Sequence, residues 1–252
     1  MKQNLLINPF LFVAMLLVVI SGCEKDEENI DKKETQIGPF TDLRDGNVYQ
    51  TVSIGDQIWM AENLKFIPSV VDFGTGSNIS PLHYVYGYGG TSVAGAKASE
   101  NYATYGVLYN WPAAIKACPD GWHLPSDGEW EELENYLAEN GYNYDGTTGG
   151  GGYKIAKSLA STSGWVGSSR EGAVGNTDYP TYRNKSGFSA FPGGYPVFGS
   201  STYTSGSFSI WWSSSENNAK HAYGRYMGHN LIDIRLFVTQ KENAYSVRCV
   251  RD

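Results

Sequence analysis

The chain has 252 residues and a formal net charge of −7, and its lysines and arginines form no basic patch. These properties argue against a nucleic-acid partner, because binding to a phosphate backbone relies on clustered positive charge. Aromatic residues make up 14% of the chain and 30 residues are glycine, which is typical of turns, short strands and aromatic packing rather than of helical bundles.

The N-terminus has the layout of a bacterial lipoprotein signal. A basic start at Met1-Lys2 precedes an apolar run over 10–20, and Ser21-Gly22 come directly before Cys23. The run is too short for a membrane-spanning helix, which needs about 20 residues. Resemblance to the lipobox implies a signal peptide over 1–22, acylation of the Cys23 thiol, and attachment to the outer membrane by lipid. An ordinary secreted protein with a chance cysteine is the alternative.

Residues 23–38 predict an acidic, flexible tether. The charged cluster Glu24-Lys25-Asp26-Glu27-Glu28 is a solvated spacer that cannot join a core. It also resembles the lysine-then-acidic export signal of surface lipoproteins in Gram-negative bacteria, which implies exposure at the cell surface. A plain acidic linker is the alternative.

The globular part opens with a predicted β-hairpin. The β-rich residues 48–53 are followed by a turn at Gly55-Asp56 and a return strand over 57–61. On the return strand Ile58 and Met60 share one face, and the intervening Trp59 points to the other. Next comes an irregular stretch over 66–104, rich in Gly, Ser, Asn and Pro, which predicts a long surface excursion.

Two short helices are predicted next. Asn110 caps the first, and Ser126 and Glu129 form a capping box at the start of the second, which ends near Asn140-Gly141. Each helix has one apolar stripe to bury. The stripes consist of Trp111, Ala114, Ile115 and Cys118 in the first helix, and of Trp130, Leu133 and Leu137 in the second.

The C-terminal third is rich in strands. A further short helix over 153–159 and a run of loops precede it. The predicted strands cover 208–213, 222–227, 231–238 and 245–251. In the third of these, the alternation predicts Ile232, Ile234, Leu236 and Val238 facing inward and Asp233 and Arg235 outward. Tyr245, Val247 and Cys249 share one face of the last strand.

Two cysteines remain once Cys23 is assigned to lipid. In an oxidising compartment, Cys118 and Cys249 predict one disulfide between an early helix and the last strand. Its loop of about 130 residues corresponds to about 3–5 kcal/mol in the chain-entropy model. Two buried free thiols are the alternative.

A series of motifs between Asp42 and Asp252 resembles the Fibrobacter succinogenes major paralogous domain, which is typical of secreted and surface lipoproteins. The motifs appear in the family's order: Gly46–Tyr49, Trp59–Leu64, Tyr105–Trp111, Cys118–Asp127, Gly187–Ala190, Pro192–Gly194, Trp211–Ser214 and Ser246–Asp252. The resemblance predicts one such domain over 39–252.

The two helices and the terminal cysteine also resemble the C-type lectin-like domain, in which a disulfide ties the first helix to the last strand. His123–Trp130 and the Val-Arg-Cys-Val ending resemble formylglycine-generating enzymes, which share that fold. The implied fold class is α+β and C-type lectin-like, with two short helices packed on twisted antiparallel sheets with long loops.

Catalytic signatures of the related folds are missing from the sequence. Beyond the two cysteines of the expected disulfide there is no thiol for oxidation chemistry, and the four histidines form no ligand pair of the His-x-x-x-His type. The Glu-Pro-Asn or Gln-Pro-Asp loop of calcium lectins is also missing. We therefore expect no catalytic residue, no metal and no cofactor.

The favoured hypothesis is a surface lipoprotein whose lectin-like domain binds a glycan or a cell-surface protein without chemistry. A structural or adhesin subunit of a surface assembly is the alternative, and an unrecognised enzyme on a formylglycine-generating-like fold is a third possibility. Ligand contact is predicted for six tyrosines: Tyr84, Tyr86 and Tyr88 in the excursion, and Tyr179, Tyr182 and Tyr203 as second choice.

Overall fold

The structure, a computed structural model, describes residues 38–151, 153–194 and 206–252. The predicted signal peptide, Cys23, the tether up to residue 37 and Tyr203 lie outside these residues. Within them, short helices accompany mostly antiparallel sheets, which confirms the predicted α+β class. None of the described helices has the length and apolar character needed to cross a membrane.

Most of the secondary-structure elements in the described residues are strands. The strands are β1 (Phe40–Thr41), β2 (Val48–Tyr49), β3 (Thr51–Ile54), β4 (Gln57–Met60), β5 (His83–Tyr84), β6 (Leu108–Tyr109), β7 (Trp122–His123), β8 (Phe208–Asn218), β9 (His221–Gly228), β10 (Arg235–Gln240), β11 (Tyr245–Ser246) and β12 (Val250–Arg251). The helices are α1 (Val93–Lys97), α2 (Glu100–Tyr105), α3 (Trp111–Ala114), α4 (Asp127–Glu139) and α5 (Ala156–Leu159), with a 3₁₀ turn at Pro180–Tyr182.

Two larger sheets share the C-terminal segment. One has the strand order β10-β9-β8-β11-β6-β5, and the other has the order β3-β4-β12-β7. All pairings are antiparallel except β8 with β11, which is parallel. Both β11 and β12 are interior strands, so the end of the chain completes both sheets.

The predicted hairpin and its two faces are confirmed. β3 pairs with β4 from Thr51 opposite Met60 to Ile54 opposite Gln57. Ile58 and Met60 belong to one buried cluster and Trp59 to another. Because successive side chains of a strand point to opposite faces, this one strand contributes to two separate cores.

The helix caps are also confirmed. The Asn110 side chain accepts from the Ala113 amide, and the Ser126–Glu129 capping box is complete. Buried residues of α4 include the whole predicted stripe, Trp130, Leu133 and Leu137. The stripe predicted for α3 is wrong at Ile115, which is exposed, because the helix ends at Ala114 and the chain then turns.

The predicted disulfide is present. Cys118, just beyond α3, and Cys249, just before β12, are joined with their Cα atoms 6.0 Å apart. Tyr245, Val247 and Cys249 lie in one buried cluster, although the predicted last strand is divided into β11 and β12, which belong to different sheets. The bridge fixes the helix segment to the strand that completes the smaller sheet.

The predicted alternation of the third C-terminal strand is confirmed at Ile234, which is buried, and is wrong at Leu236 and Val238. Leu236 and Val238 are each 47% exposed, whereas Phe237 packs against the core and Thr239 is buried. β10 is the edge strand of its sheet, and its Phe237 face is the one that meets the core. Both faces carry apolar residues, so alternation alone did not identify the inner one.

Candidate functional site

Tyr84 and Tyr86, two of the predicted ligand-contact residues, are buried, so their rings do not face solvent. They are 0% and 5% exposed, because the excursion folds into β5, α1 and α2 and packs its own core. The Tyr84 ring stacks on Phe73 with 5.1 Å between centroids, and its hydroxyl donates to the Thr75 carbonyl at 2.7 Å. These rings stabilise the excursion.

Tyr88 is half-buried and holds the same segment together. Its hydroxyl donates to the Ser92 carbonyl at 3.0 Å. The ring lies directly on two glycines, since a Cβ at Gly90 or Gly95 would come within 2.7 or 2.5 Å of the Tyr88 hydroxyl. A role for Tyr88 in ligand contact stays a prediction.

Tyr179 and Tyr182 belong to a cluster of partly exposed rings. Tyr144 packs on Tyr179 with centroids 5.0 Å apart and planes inclined by 58°. Tyr142 and Tyr182 flank the Lys185 ammonium, which lies 4.9 and 4.7 Å from their centroids. We call these four tyrosines the tyrosine surface; the sequence had pointed to Tyr179 and Tyr182 and missed Tyr142 and Tyr144.

Local contacts fix the rings of the tyrosine surface. The Tyr179 hydroxyl donates to Glu171 Oε1 at 2.6 Å, and this hydrogen bond raises the pKa of Tyr179 to about 12. A Cβ at Gly172 would come within 2.3 Å of the Tyr144 ring, and one at Gly146 within 2.5 Å of the Tyr182 hydroxyl. Glycine at position 172 therefore leaves room for the Tyr144 ring, and glycine at position 146 leaves room for the Tyr182 hydroxyl.

Tyr179 has a strained backbone. Its φ of 48° lies in the left-handed region, which is a genuine outlier for a bulky residue. Such strain costs about 1–3 kcal/mol and is concentrated at functional sites. The strained conformation begins the 3₁₀ turn that places Tyr182 beside Tyr179 on the surface.

Lys185 supplies a positive charge within the tyrosine surface. The residue is exposed, and its ammonium donates to the Gly141 carbonyl at 2.8 Å. Among the ion pairs of the described ranges, none includes Lys185. The ammonium therefore presents donors to solvent between two aromatic rings, an arrangement suited to a polar ligand.

A second polar site is a cleft of about 400 Å³ over the C-terminal segment. Its lining includes the fully buried Arg248, the ion pair of Lys65 with Glu62, and Ser189, whose φ is 55°. We call it the Arg248 cleft. In the sequence, this cleft is marked by no more than a charged residue between Val247 and Cys249, both of which are buried.

His123 is held between two carboxylates at the surface. Its Nδ1 lies 2.5 Å from Asp252 Oδ1 and its Nε2 lies 2.6 Å from Glu129 Oε1. Partial burial disfavours the imidazolium, but these two hydrogen bonds together outweigh it and raise the pKa of His123. Both ring nitrogens are occupied, so neither is placed to take a proton from a ligand.

His, Cys, Asp and Glu side chains are the usual ligands of protein metal sites. In the ranges that the structure covers, no group of three or more His, Cys, Asp and Glu side chains converges in a way that would hold an ion. His221 lies at the start of β9 and His229 just past its end, where no shared ligand geometry forms.

The comparisons with known proteins agree with the motif series. Comparison with curated proteins and with solved structures gives no match. The family model of the Fibrobacter succinogenes major domain matches residues 52–251. That match spans the hairpin, the capped helices, both larger sheets and the disulfide, and so the chain belongs to the Fibrobacter succinogenes major domain family.

Proposed function

We propose that the chain is a lipoprotein, anchored to the outer membrane through lipid on Cys23, whose domain binds a glycan at the cell surface without catalysing a reaction. The observation that carries the binding proposal is the tyrosine surface. It combines four partly exposed rings, a strained backbone at Tyr179 and an ammonium between two of the rings.

A glycan fits this surface for chemical reasons. The C–H faces of a sugar ring are apolar and pack on aromatic faces, while its hydroxyls need donors and acceptors at the ring edges. The tyrosine surface supplies tyrosine faces together with the Lys185 ammonium and the Glu171 carboxylate. Tyrosine is also a low-entropy contact residue, since it has only two side-chain torsions to fix.

The C-type lectin-like architecture is part of the same proposal. The disulfide between Cys118, after the short helix α3, and Cys249, before the last strand, supports it. Superposition of an experimental structure on a C-type lectin-like domain tests it: a different strand order around β12 would count against that fold.

Glycan binding is tested with the full chain purified in detergent and applied to a broad glycan array, with and without calcium. We expect saturable binding that a Tyr179→Ala, Tyr182→Ala double variant weakens at least tenfold. Tyr136→Ala is the matched control, because Tyr136 is an exposed tyrosine on α4, outside the tyrosine surface. Equal affinity of the double variant and the control would reject the assignment, and no bound glycan would favour a protein partner.

The anchor is tested separately. Cells grown with an alkyne-bearing fatty acid should label the wild-type chain and leave a Cys23→Ala variant unlabelled. Protease treatment of intact cells should then remove the wild-type domain if it faces outward. Labelling that persists without Cys23 would contradict the lipoprotein proposal.

A further inference from the structure

The Arg248 cleft contains a buried positive charge that no carboxylate pairs with. The Arg248 side chain is 1% exposed and bonds only to neutral oxygens. Its Nη2 and Nε donate to Asn63 Oδ1 at 3.0 and 3.3 Å, Nη1 donates to the carbonyls of Met60 and Phe188 at 3.1 and 2.5 Å, and Nη2 also lies 3.5 Å from the Ser189 carbonyl. Within the described residues, no ion pair includes Arg248.

Burial leaves the charge of Arg248 under-stabilised. Desolvation lowers the pKa of Arg248 to about 9, far below its ordinary value, and the Glu62 carboxylate opposes this shift. Glu62, however, already pairs with Lys65 at 3.1 Å. Two cations and one carboxylate therefore line the cleft, which leaves one net positive charge for a ligand to neutralise.

The same cleft has donors and an apolar wall. Lys65 uses one ammonium proton on Glu62 and retains two others. The exposed side chains of Gln50 and Thr104 reach the lining beside it, and Phe191 contributes a half-buried ring. A volume of about 400 Å³ lies in the range of small-molecule sites.

Backbone strain at Ser189 supports a built site. Its φ of 55° is held by Asn184, whose Oδ1 accepts from the Ser189 amide at 2.9 Å and whose Nδ2 donates to Ser189 Oγ at 2.8 Å. In this conformation the Ser189 carbonyl faces Arg248 while the residue lines the cleft.

We propose that the Arg248 cleft binds a small monocarboxylate with a flat apolar body. The carboxylate accepts from Lys65 and neighbouring donors above Arg248, and the body packs on Phe191. A single negative charge matches the single net positive charge of the lining. This site uses none of the residues of the tyrosine surface, so it stands independently of glycan binding.

Benzoate is the test probe and benzamide its neutral control, each titrated into the full chain in detergent and followed by calorimetry and amide NMR. A ligand of this size should bind with a Kd of about 1–10 mM. We expect benzamide to bind at least tenfold more weakly, and the amide shifts caused by benzoate to centre on Ala61 and Ala103, which line the cleft.

Charge variants give the sharpest result. Lys65→Gln should weaken benzoate binding at least fivefold, and Glu62→Gln should tighten it about threefold, because it raises the net charge of the cleft. Lys154→Gln is the matched control, since Lys154 pairs with Asp145 at 2.7 Å outside the cleft. Equal binding of benzamide, an unchanged Lys65→Gln variant, or no saturation by benzoate would overturn the proposal.

Discussion

Two buried arginines of this domain meet opposite electrostatic surroundings. Arg225 on β9 and Arg248 next to β12 are both 1% exposed. Arg225 Nε lies 2.7 Å from Glu134 Oε1, and its Nη1 pairs with Asp127, both on α4. Within the described residues, the hydrogen-bond partners of Arg248 are an amide oxygen and backbone carbonyls.

The difference separates a structural role from a binding role. The two carboxylates at Arg225 more than balance its charge, so that region has nothing to attract an anion. The oxygens around Arg248 satisfy its hydrogen bonds and leave its charge unbalanced. Lys157, buried with Asp178 as its one carboxylate, lies between these extremes.

Arg248→Met should cause the largest loss of stability in this series. The substitution leaves up to three backbone carbonyls buried without their Arg248 donor, and each such group costs about 1–3 kcal/mol. Asn63 Oδ1 also loses Arg248 but keeps the Trp211 Nε1 donor at 3.0 Å. We expect the free energy of unfolding, measured in urea, to fall by about 4 kcal/mol or more. This loss should be the same at pH 5 and pH 7, because none of the oxygens left without a donor titrates. A loss below about 1 kcal/mol would show that Arg248 is not fixed by these bonds.

Arg225→Met should lower the free energy of unfolding by about 3 kcal/mol at pH 7, because it leaves two carboxylates without their positive partner and both are partly accessible to water. Burial already raises the pKa of Glu134, ahead of the opposing hydrogen bond to Arg225, and loss of that bond raises it further. A carboxyl whose folded pKa exceeds its unfolded value costs stability above that pKa and none below the unfolded value.

The loss at Arg225→Met should therefore shrink as pH falls from 7 to 5, whereas the loss at Arg248→Met stays constant. Urea unfolding of both variants at the two pH values measures this contrast. Parallel pH profiles would contradict the distinction between the two arginines.

Asp178→Asn should produce an intermediate effect of about 2 kcal/mol, the value of a hydrogen bond to a charged group. Lys157 keeps the carbonyls of Asn176 and Asp178 as partners, at 2.9 and 2.6 Å. Asp145→Asn is the control, because it breaks the pair with Lys154, whose side chain is more exposed than that of Lys157, and it should change the urea midpoint little. Similar losses in the two variants would mean that burial of the pair is unimportant.

His123→Gln should have the smallest effect, and one that depends on pH. The raised pKa of His123 means that its pairing stabilises the fold fully below the ordinary value near 6.5 and that this stabilisation is lost as pH rises through the folded pKa. The stabilisation is also lost at acidic pH, where Glu129 becomes protonated. Burial disfavours the charged carboxylate of Glu129, but its bonds to Ser126 and His123 outweigh this effect and lower its pKa.

The wild type should therefore melt about 1–3 °C above His123→Gln near pH 5.5 and at nearly the same temperature at pH 8.5. Thermal melts of both proteins at the two pH values measure this difference in melting temperature. A difference that grows toward pH 8.5 would contradict the assignment.

Local signals predicted the parts of the fold that depend on neighbours in sequence. The caps at Asn110 and Ser126, the hairpin of β3 and β4 and the Cys118–Cys249 bridge all follow from such signals. Burial that depends on residues distant in the sequence could not be predicted from local signals. Nothing near Tyr84 in the sequence indicates Phe73 above it, and nothing near Leu236 indicates that Phe237 meets the core.

The candidate sites show the same division. A run of tyrosines pointed to Tyr179 and Tyr182, but their neighbour Tyr144 enters through the tertiary fold. The burial of Arg248 could not be predicted, because a charged residue in a strand is ordinarily solvated and contacts from two distant segments, 60–63 and 188–189, remove it from water.

The placement of β11 and β12 constrains when the domain can form during its biosynthesis. The last eight residues of the chain supply an interior strand to each of the two larger sheets. Neither sheet can close until residues 245–251 have left the ribosome, so the long-range pairings that slow folding come last. A truncation ahead of Tyr245 would remove both interior strands and open both sheets.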